Sequence, residues 1–129
     1  MSGFNFKNYT FINCDFKNAD LRFCNLFGVQ FINCNLFSTK MGNTWIREVV
    51  FDYECELRYA DFSFSVISKI DFTGFDLSHI SLKGCSLKDV NFRNANLFCA
   101  DMRNAIFDNV IFTGALMEDT IYERTRYEN

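Results

Sequence analysis

One histidine, six cysteines and a regular series of carboxylates are the residues of this chain whose types could support chemistry. His79 is the single histidine, and no serine or cysteine is placed beside it as a nucleophile is placed beside its base. Asp15 and Asp20 could act as an acid–base pair only if the fold brought them to one side. The glycines are isolated and form no phosphate-binding loop. We therefore predict no catalytic, cofactor or metal site, and a protein that is not an enzyme.

The cysteines show no metal-binding spacing. None belongs to a Cys-x-x-Cys pair, and a single histidine cannot complete a Cys/His zinc set. Three of them lie ten residues apart, which an internal repeat explains without a metal or a disulfide. We expect reduced, buried, small apolar residues, as in a compartment where glutathione keeps thiols reduced. The cysteines are Cys14, Cys24, Cys34, Cys55, Cys85 and Cys99.

Length and composition predict a single β-rich domain over residues 1–129. The chain has 17 Phe and no Pro, and the interior strands of a sheet cannot accommodate Pro. Its formal net charge of −3 disfavours direct binding to nucleic acid or to a membrane surface. No apolar run approaches the roughly 18 residues that span a bilayer, and the first residues lack the pattern of a signal peptide. We expect a cytoplasmic protein.

A five-residue repeat runs through the chain. From Phe6 to Phe51 every fifth residue is large and apolar, and the series resumes at Leu57 and continues to Tyr127. Two residues before most of these positions lies a smaller apolar residue, and a polar residue stands between the two. The large residues are Phe6, Phe11, Phe16, Leu21, Leu26, Phe31, Leu36, Met41, Ile46, Phe51, Leu57, Phe62, Ile67, Phe72, Leu77, Leu82, Leu87, Phe92, Leu97, Met102, Phe107, Phe112, Met117, Tyr122 and Tyr127.

A period of five excludes both a straight helix and a flat strand. On an α-helix a five-residue step advances about 140°, so the apolar set would be spread around the axis. In a strand an odd step places successive members on opposite faces. Burial on one side therefore requires the chain to turn a corner in every repeat, and four corners close a square coil of twenty residues. This geometry places Asp15 and Asp20 on different faces, so they do not form an acid–base pair.

The square coil predicts that residues twenty positions apart are stacked. One column then consists only of phenylalanine, provided that the register shifts by one residue between Phe51 and Leu57. The shift predicts a one-residue insertion, a bulge, within residues 52–56. The core column is Phe11, Phe31, Phe51, Phe72, Phe92 and Phe112.

The motif Ala-(Asp/Asn)-Leu-x-x resembles the repeat of the pentapeptide-repeat family. It is seen in residues 19–23, 60–64 (with Phe in place of Leu) and 95–99, and the resemblance covers essentially the whole chain. It implies the fold of that family, an all-β, right-handed quadrilateral parallel β-helix. About six coils of four pentapeptides, ~4.8 Å apart, make a solenoid about 30 Å long. Residues 121–127 resemble the terminal segment of many members and are predicted to cap the last coil.

The resemblance leaves two non-catalytic functions open. One is a scaffold that acts through protein–protein interaction with an unidentified partner. The other is imitation of duplex DNA, as in members similar to the quinolone-resistance proteins, which bind the type II topoisomerases DNA gyrase and topoisomerase IV. Duplex DNA carries about one charge per 1.7 Å, and the carboxylate columns of this chain are sparser and interleaved with basic residues, which favours a salt-bridged surface. The columns are Asp15, Glu56 and Asp76 on one face and Asp20, Asp61 and Asp101 on the next.

Several large aromatic residues fall at outward positions of the repeat. A cluster of them would mark an interface with a partner, whereas scattered surface aromatics are ordinary. Phe27 and Tyr59 are among them. Together with the carboxylate columns, the candidate partner surface comprises Phe23, Phe37, Trp45, Phe64 and Phe98.

Two regions are predicted to depart from the regular coil. Residues 39–50 fit the repeat least well, and we expect a local bulge or a protruding loop there. At the start of the chain, Phe4, Phe6, Tyr9 and Phe11 lie at an uncovered strand edge. A homodimer, if one forms, is therefore expected to form through an end coil.

Overall fold

The computed structural model describes residues 1–128, which form short parallel strands and turns without a helix. Two parallel sheets are present, with strand orders β1-β2-β4 and β3-β5-β6-β7-β8. The fold is the predicted right-handed quadrilateral β-helix of about six coils. Its strands are β1 (Thr10–Ile12), β2 (Gln30–Ile32), β3 (Trp45–Arg47), β4 (Val50–Phe51), β5 (Val66–Asp71), β6 (Ser86–Asn91), β7 (Ile106–Ile111) and β8 (Arg126–Glu128).

Strand pairing confirms the predicted stacking. Phe11 pairs with Phe31 and Phe31 pairs with Phe51, each twenty residues further along the chain. Ile46 pairs with Ile67, one residue more, because the insertion lies between them. We name the four sides of the coil by the apolar column that each one buries: face 1 begins with Phe11, face 2 with Phe16, face 3 with Leu21 and face 4 with Phe6.

Face 1 buries a continuous ladder of stacked phenylalanine rings. Successive ring centroids lie 5.2 to 5.7 Å apart, at interplanar angles of 5° to 20°. The separations slightly exceed the ~4.8 Å between neighbouring strands because the rings are offset, as stacked aromatic rings prefer. The ladder consists of Phe11, Phe31, Phe51, Phe72, Phe92 and Phe112, as predicted.

The Thr, Ser and Cys residues two positions before a large residue also donate hydrogen bonds from their side chains. The Thr39 hydroxyl donates to the Phe16 carbonyl at 2.8 Å, and the Cys85 thiol donates to the Phe62 carbonyl at 2.9 Å. Each acceptor belongs to a large core residue of the preceding coil. Throughout residues 1–128, every buried side-chain nitrogen or oxygen has a hydrogen-bond partner. Small polar side chains are therefore tolerated inside the coil.

The residues at the corners of the coil adopt the left-handed backbone conformation. Nineteen described residues other than glycine have a positive φ, between 50° and 63°. Asn is the most frequent of them, in agreement with its tolerance of this conformation. Between the corners at Glu48 and Tyr59 no residue has a positive φ. The corner that would lie between them is therefore built differently.

That irregular corner contains the one-residue insertion, and Asp52 organises it. The amide of Cys55 donates to the Asp52 carbonyl at 3.0 Å, one residue later than in a regular repeat, where the amide of Ala60 donates to the Leu57 carbonyl. The Asp52 carboxylate accepts hydrogen bonds from the amides of Asn33, at 3.0 Å, and Glu54, at 3.2 Å. The bulge predicted within residues 52–56 is confirmed.

One prediction about an irregular segment is wrong. Residues 39–50 form no protruding loop, because Lys40 bridges Asp61 and Trp45–Arg47 pairs in register as β3. Gly42 is buried there, and a Cβ atom at this position would lie 3.1 Å from the Ser63 carbonyl oxygen. Residues 121–127 also continue the coil, since Ile121 bridges Asp101 and β8 pairs with β7, and they thereby cover the edge of β7.

Phe72→Ala should lower the free energy of unfolding by about 3–5 kcal/mol, because it leaves a cavity in the ring ladder between Phe51 and Phe92. Lys83→Ala, on the outside of the coil, should change it by less than about 0.5 kcal/mol. Urea unfolding followed by circular dichroism measures both variants. Equal effects would contradict the assignment of inward and outward positions.

Candidate protein-binding surface

Four residues with ring side chains occupy corners, where Asn and Gly are the most frequent residues in other repeats. Phe23, Tyr59, Phe64 and His79 have φ values between 61° and 63°. The left-handed conformation costs a bulky residue about 1–2 kcal/mol, and such strain concentrates at functional sites. All four lie on the two corners that border face 3. These corners are therefore the first candidates for a binding surface.

The corner between faces 2 and 3 carries a ladder of aromatic rings. Tyr59 stacks on His79, with ring centroids 4.4 Å apart and an interplanar angle of 3°. Phe37 contacts Tyr59 at 5.3 Å, and Phe98 meets His79 edge-on at 5.6 Å. We call Phe37, Tyr59, His79 and Phe98 the aromatic ladder. The sequence placed Phe37 and Phe98 in one column, and the structure joins them through Tyr59 and His79, neither of which the predicted partner surface included.

The corner between faces 3 and 4 exposes two further phenylalanines. Phe23 is 62% exposed and Phe64 is 56% exposed. The Phe64 ring lies against the backbone of Gly84, where a Cβ atom would be 2.5 Å from the ring atom Cδ1. Gly84 thus makes room for an aromatic ring on the adjoining coil. Face 3 is bordered by aromatic residues on both sides.

The carboxylates of face 3 are bound within the protein. Arg22 donates to both carboxylate oxygens of Asp20, at 2.9 and 2.8 Å, and Arg103 binds Asp101 in the same manner at 3.0 and 2.7 Å. The arginine hydrogen bonds hold the pKa of Asp20 far below its usual value and lower the pKa of Asp101. Asp61 accepts a hydrogen bond from the Ser63 hydroxyl at 2.5 Å. The charges of Asp20 and Asp101 are therefore neutralised locally by their arginines, whereas Asp61 is held by hydrogen bonds alone.

The carboxylates of face 2 are similarly engaged. Glu56 forms a salt bridge with Arg58 at 2.9 Å. Asp15 accepts the amide of the residue two positions later at 3.0 Å, and Asp76 does the same at 3.1 Å. Bridges between coils align Asp15, Asn35 and Glu56 on face 2, and Asp20, Lys40 and Asp61 on face 3. With Lys40 inside one column and arginines beside three of the six carboxylates, neither column presents continuous negative charge.

Trp45 lies away from this surface, on face 4. Its side chain is 65% exposed and borders an open groove of about 430 Å³. Inside the groove, the Lys7 ammonium and the Arg47 guanidinium lie 5.8 and 5.6 Å from the centre of the Phe27 ring. The predicted aromatic set is therefore divided between two surfaces. Phe23, Phe37, Phe64 and Phe98 border face 3, and Trp45 belongs to face 4.

All six cysteines are free, and the thiols that donate hydrogen bonds do so to backbone carbonyls, with Cys55 also donating to the Asp52 carboxylate at 3.4 Å. Burial raises the pKa of the Cys85 thiol to about 12 and that of the Cys55 thiol to about 11. Such thiols ionise too rarely to act as nucleophiles. In residues 1–128 no three His, Cys, Asp or Glu side chains are grouped so as to hold a metal ion. The same residues include no helix suited to crossing a membrane.

The interior of the coil is filled with side chains, and the aromatic corners, the carboxylates and the groove described above all lie on its outer surface. This architecture is that of a parallel β-solenoid scaffold. The chain belongs to the pentapeptide-repeat family. It matches the family described as "Pentapeptide repeat region" over residues 4–82 and that described as "Pentapeptide repeats (8 copies)" over residues 76–114. Proteins of this family are generally non-catalytic scaffolds. No curated protein sequence matches the chain.

Solved structures similar to the chain are also pentapeptide repeat proteins. Rfr23 from the cyanobacterium Cyanothece 51142 is 19% identical, with 99% of this chain and 86% of that chain covered and a TM-score of 0.40. A trypsin-treated form of QnrB1, a plasmid-mediated fluoroquinolone resistance protein, is 18% identical, with 99% and 88% covered and a TM-score of 0.34. HetL from the cyanobacterium Nostoc sp. strain PCC 7120 is 14% identical, with 93% and 87% covered and a TM-score of 0.30.

Alkylation by iodoacetamide should distinguish the thiols. At about pH 8 a thiol with a pKa near 12 is ionised in roughly one molecule in 10⁴, and Cys85 is also buried. Half-buried Cys14 should therefore react at least about 100-fold faster than Cys85 in the folded protein. Mass spectrometry of timed digests measures both rates, and the difference should disappear in urea. Comparable rates in the folded protein would contradict the burial of Cys85.

Proposed function

We propose that the protein is a non-catalytic scaffold that binds another protein through face 3 and the two aromatic corners beside it. The observation that carries this proposal is the placement of Phe23, Tyr59, Phe64 and His79 at left-handed corners. Asn or Gly would fill these corners at lower cost. The backbone of the coil therefore gains nothing from these ring-bearing residues, whereas contact with a partner would use them.

The composition of this surface suits a protein partner. Aromatic residues and arginine are enriched at the centres of protein interfaces, where they supply most of the binding energy. Face 3 presents Arg22 and Arg103 between aromatic borders, each held rigid by a carboxylate. A rigid surface loses little conformational entropy on binding. A partner with an apolar rim and a polar centre would complement it.

The alternative function is imitation of DNA toward gyrase or topoisomerase IV. It requires a continuous row of negative charge, because duplex DNA carries about one charge per 1.7 Å. The basic side chains of face 3, Arg22, Lys40, Lys83 and Arg103, interrupt its three aspartates. This distribution favours the general protein-binding scaffold over the DNA mimic.

A cytoplasmic location is part of the proposal. Cys34, Cys55 and Cys85 each donate a thiol hydrogen bond to a carbonyl of the preceding coil. Oxidation would remove these donors from the interior. A compartment that keeps thiols reduced would preserve them.

Affinity capture from cytosol tests the binding surface. The double variant Tyr59→Ser, Phe64→Ser should lose the proteins that the wild-type chain retains, because it removes one anchor from each border of face 3. Ile12→Ser is the matched control, since Ile12 is 57% exposed but lies on face 1. Quantitative mass spectrometry compares the captured sets. Identical sets for the double variant and the wild type would refute binding through face 3.

A supercoiling assay tests the alternative. On the charge distribution of faces 2 and 3 we expect gyrase to be unaffected by the purified chain at micromolar concentration. A DNA mimic would instead inhibit or protect gyrase in a salt-sensitive way. Asp20→Lys or Asp61→Lys would abolish that effect. Such a result would replace the general scaffold with the DNA mimic.

A further inference from the structure

Face 4 is a second exposed surface, formed by the outer side of the five-stranded sheet. Its outward residues form two parallel rows, one on each side of the buried column that contains Ile46 and Ile67. Trp45 is 65% exposed and Val66, on the next strand, is 38% exposed. From β3 to β8 the rows are Trp45, Val66, Ser86, Ile106 and Arg126, and Arg47, Ser68, Lys88, Asp108 and Glu128.

Three charged residues of face 4 are unpaired. Among residues 1–128, Arg47, Lys88 and Asp108 have no salt-bridge partner and no side-chain hydrogen bond. On faces 2 and 3, by contrast, three carboxylates are bound by an arginine two residues later. Arg47 is held over the Phe27 ring at 5.6 Å and is thereby fixed in place. The basic end and the acidic end of face 4 thus complement each other, but they lie too far apart along the coil to meet within one molecule.

We propose that face 4 binds face 4 of a second copy of this chain, antiparallel, about a twofold axis that runs between β5 and β6. In this arrangement β3 faces β7 and β5 faces β6 across the interface. Arg47 then lies opposite Asp108 of the second copy, and Trp45 lies opposite Ile106. Because a twofold interface uses the same patch on both subunits, each contact is made twice. Two ion pairs would then lie beside an apolar row that contains both tryptophans.

The charges of face 4 disfavour the two registers that differ from this one by half a strand spacing. Moving the axis by half a strand spacing onto β6 places Lys88 opposite itself, and moving it onto β5 places Lys88 opposite Arg47. Like charges directly opposed across an interface destabilise it. With the axis between β5 and β6, Lys88 faces Ser68 instead. A parallel arrangement of the two coils would place Asp108 opposite Ile106 and form no ion pair.

The size of the face predicts a weak dimer. Five strands about 4.8 Å apart, each crossed by about four residues at ~3.3 Å, cover roughly 300–400 Å² per copy. Stable complexes bury about 800 Å² per partner. We therefore expect a transient dimer with a dissociation constant of hundreds of micromolar. Face 3 stays uncovered in this dimer, so the inference does not rest on the proposed binding of another protein.

Sedimentation equilibrium of the full chain, from about 10 µM to about 1 mM, tests the dimer. The wild type should show a monomer–dimer equilibrium. Arg47→Asp and Asp108→Arg should each weaken it about tenfold, because each places like charges together twice. The variant that carries both substitutions should recover to within about threefold of the wild type, because the exchanged charges again form pairs. Arg93→Asp, the same charge change on face 1, should have no effect beyond about twofold.

Each contrary outcome overturns the proposal. A wild-type chain that remains monomeric at about 1 mM excludes the dimer. Failure of the double variant to recover, while circular dichroism shows it folded, excludes the antiparallel pairing. If Arg93→Asp weakens the dimer as much as Arg47→Asp does, dimerisation depends only on the net charge of the chain. Dimerisation that is lost in Phe4→Ser or Tyr9→Ser but kept in Arg47→Asp shows association through the end coil instead.

Discussion

The hydrogen bonds between successive coils are the constraint on which the rest of this structure depends. Most coil positions donate or accept across the gap to the next coil, as where the amide of Met41 donates to the Asp61 carbonyl at 2.7 Å and that of Lys40 to the Ala19 carbonyl at 2.9 Å. Because these bonds set the strand spacing, a side chain inside one coil must fit the side chains directly above and below it. The phenylalanine ladder of face 1 follows from this constraint. So does the bulge, because Asp52 absorbs one extra residue without disturbing the register of later coils.

The left-handed backbone conformation of the corners is a second constraint. At the corners beside face 3, ring-bearing residues adopt this conformation in place of Asn. A corner every five residues requires a left-handed residue, and Asn meets this need at little cost. Replacing Asn by Tyr59 or Phe64 adds strain and exposes a ring. The packing of Tyr59 on His79 and of Phe64 against Gly84 offsets part of this backbone strain. Tyr59, His79 and Phe64 are thus held in place by contacts within the coil itself.

The faces differ in how their charges are satisfied, which bears on what each could bind. Asp20 and Asp101 are occupied by arginines, so face 3 offers aromatic rings and oriented guanidinium groups rather than free carboxylates. On face 4, Arg47 and Asp108 have no partner among the described residues. Internal pairing lowers the long-range field of a surface, whereas unpaired charges favour contact with a complementary surface. One small solenoid can in this way carry two surfaces of different chemistry.

The five-residue period by itself determined the coil, the phenylalanine ladder and the position of the bulge within residues 52–56. All three can be predicted from the sequence because inward and outward positions follow a fixed order, and the apolar residues mark the inward ones. Only the tertiary structure decided which outward residues meet, because the period does not say how side chains approach each other around a corner. Phe37 reaches Tyr59 on the neighbouring coil, and residues 39–50 stay within the coil since Gly42 allows the backbones to approach. The neutralisation of Asp20 likewise depends on the direction of the Arg22 side chain, which the coil geometry sets and the spacing does not reveal.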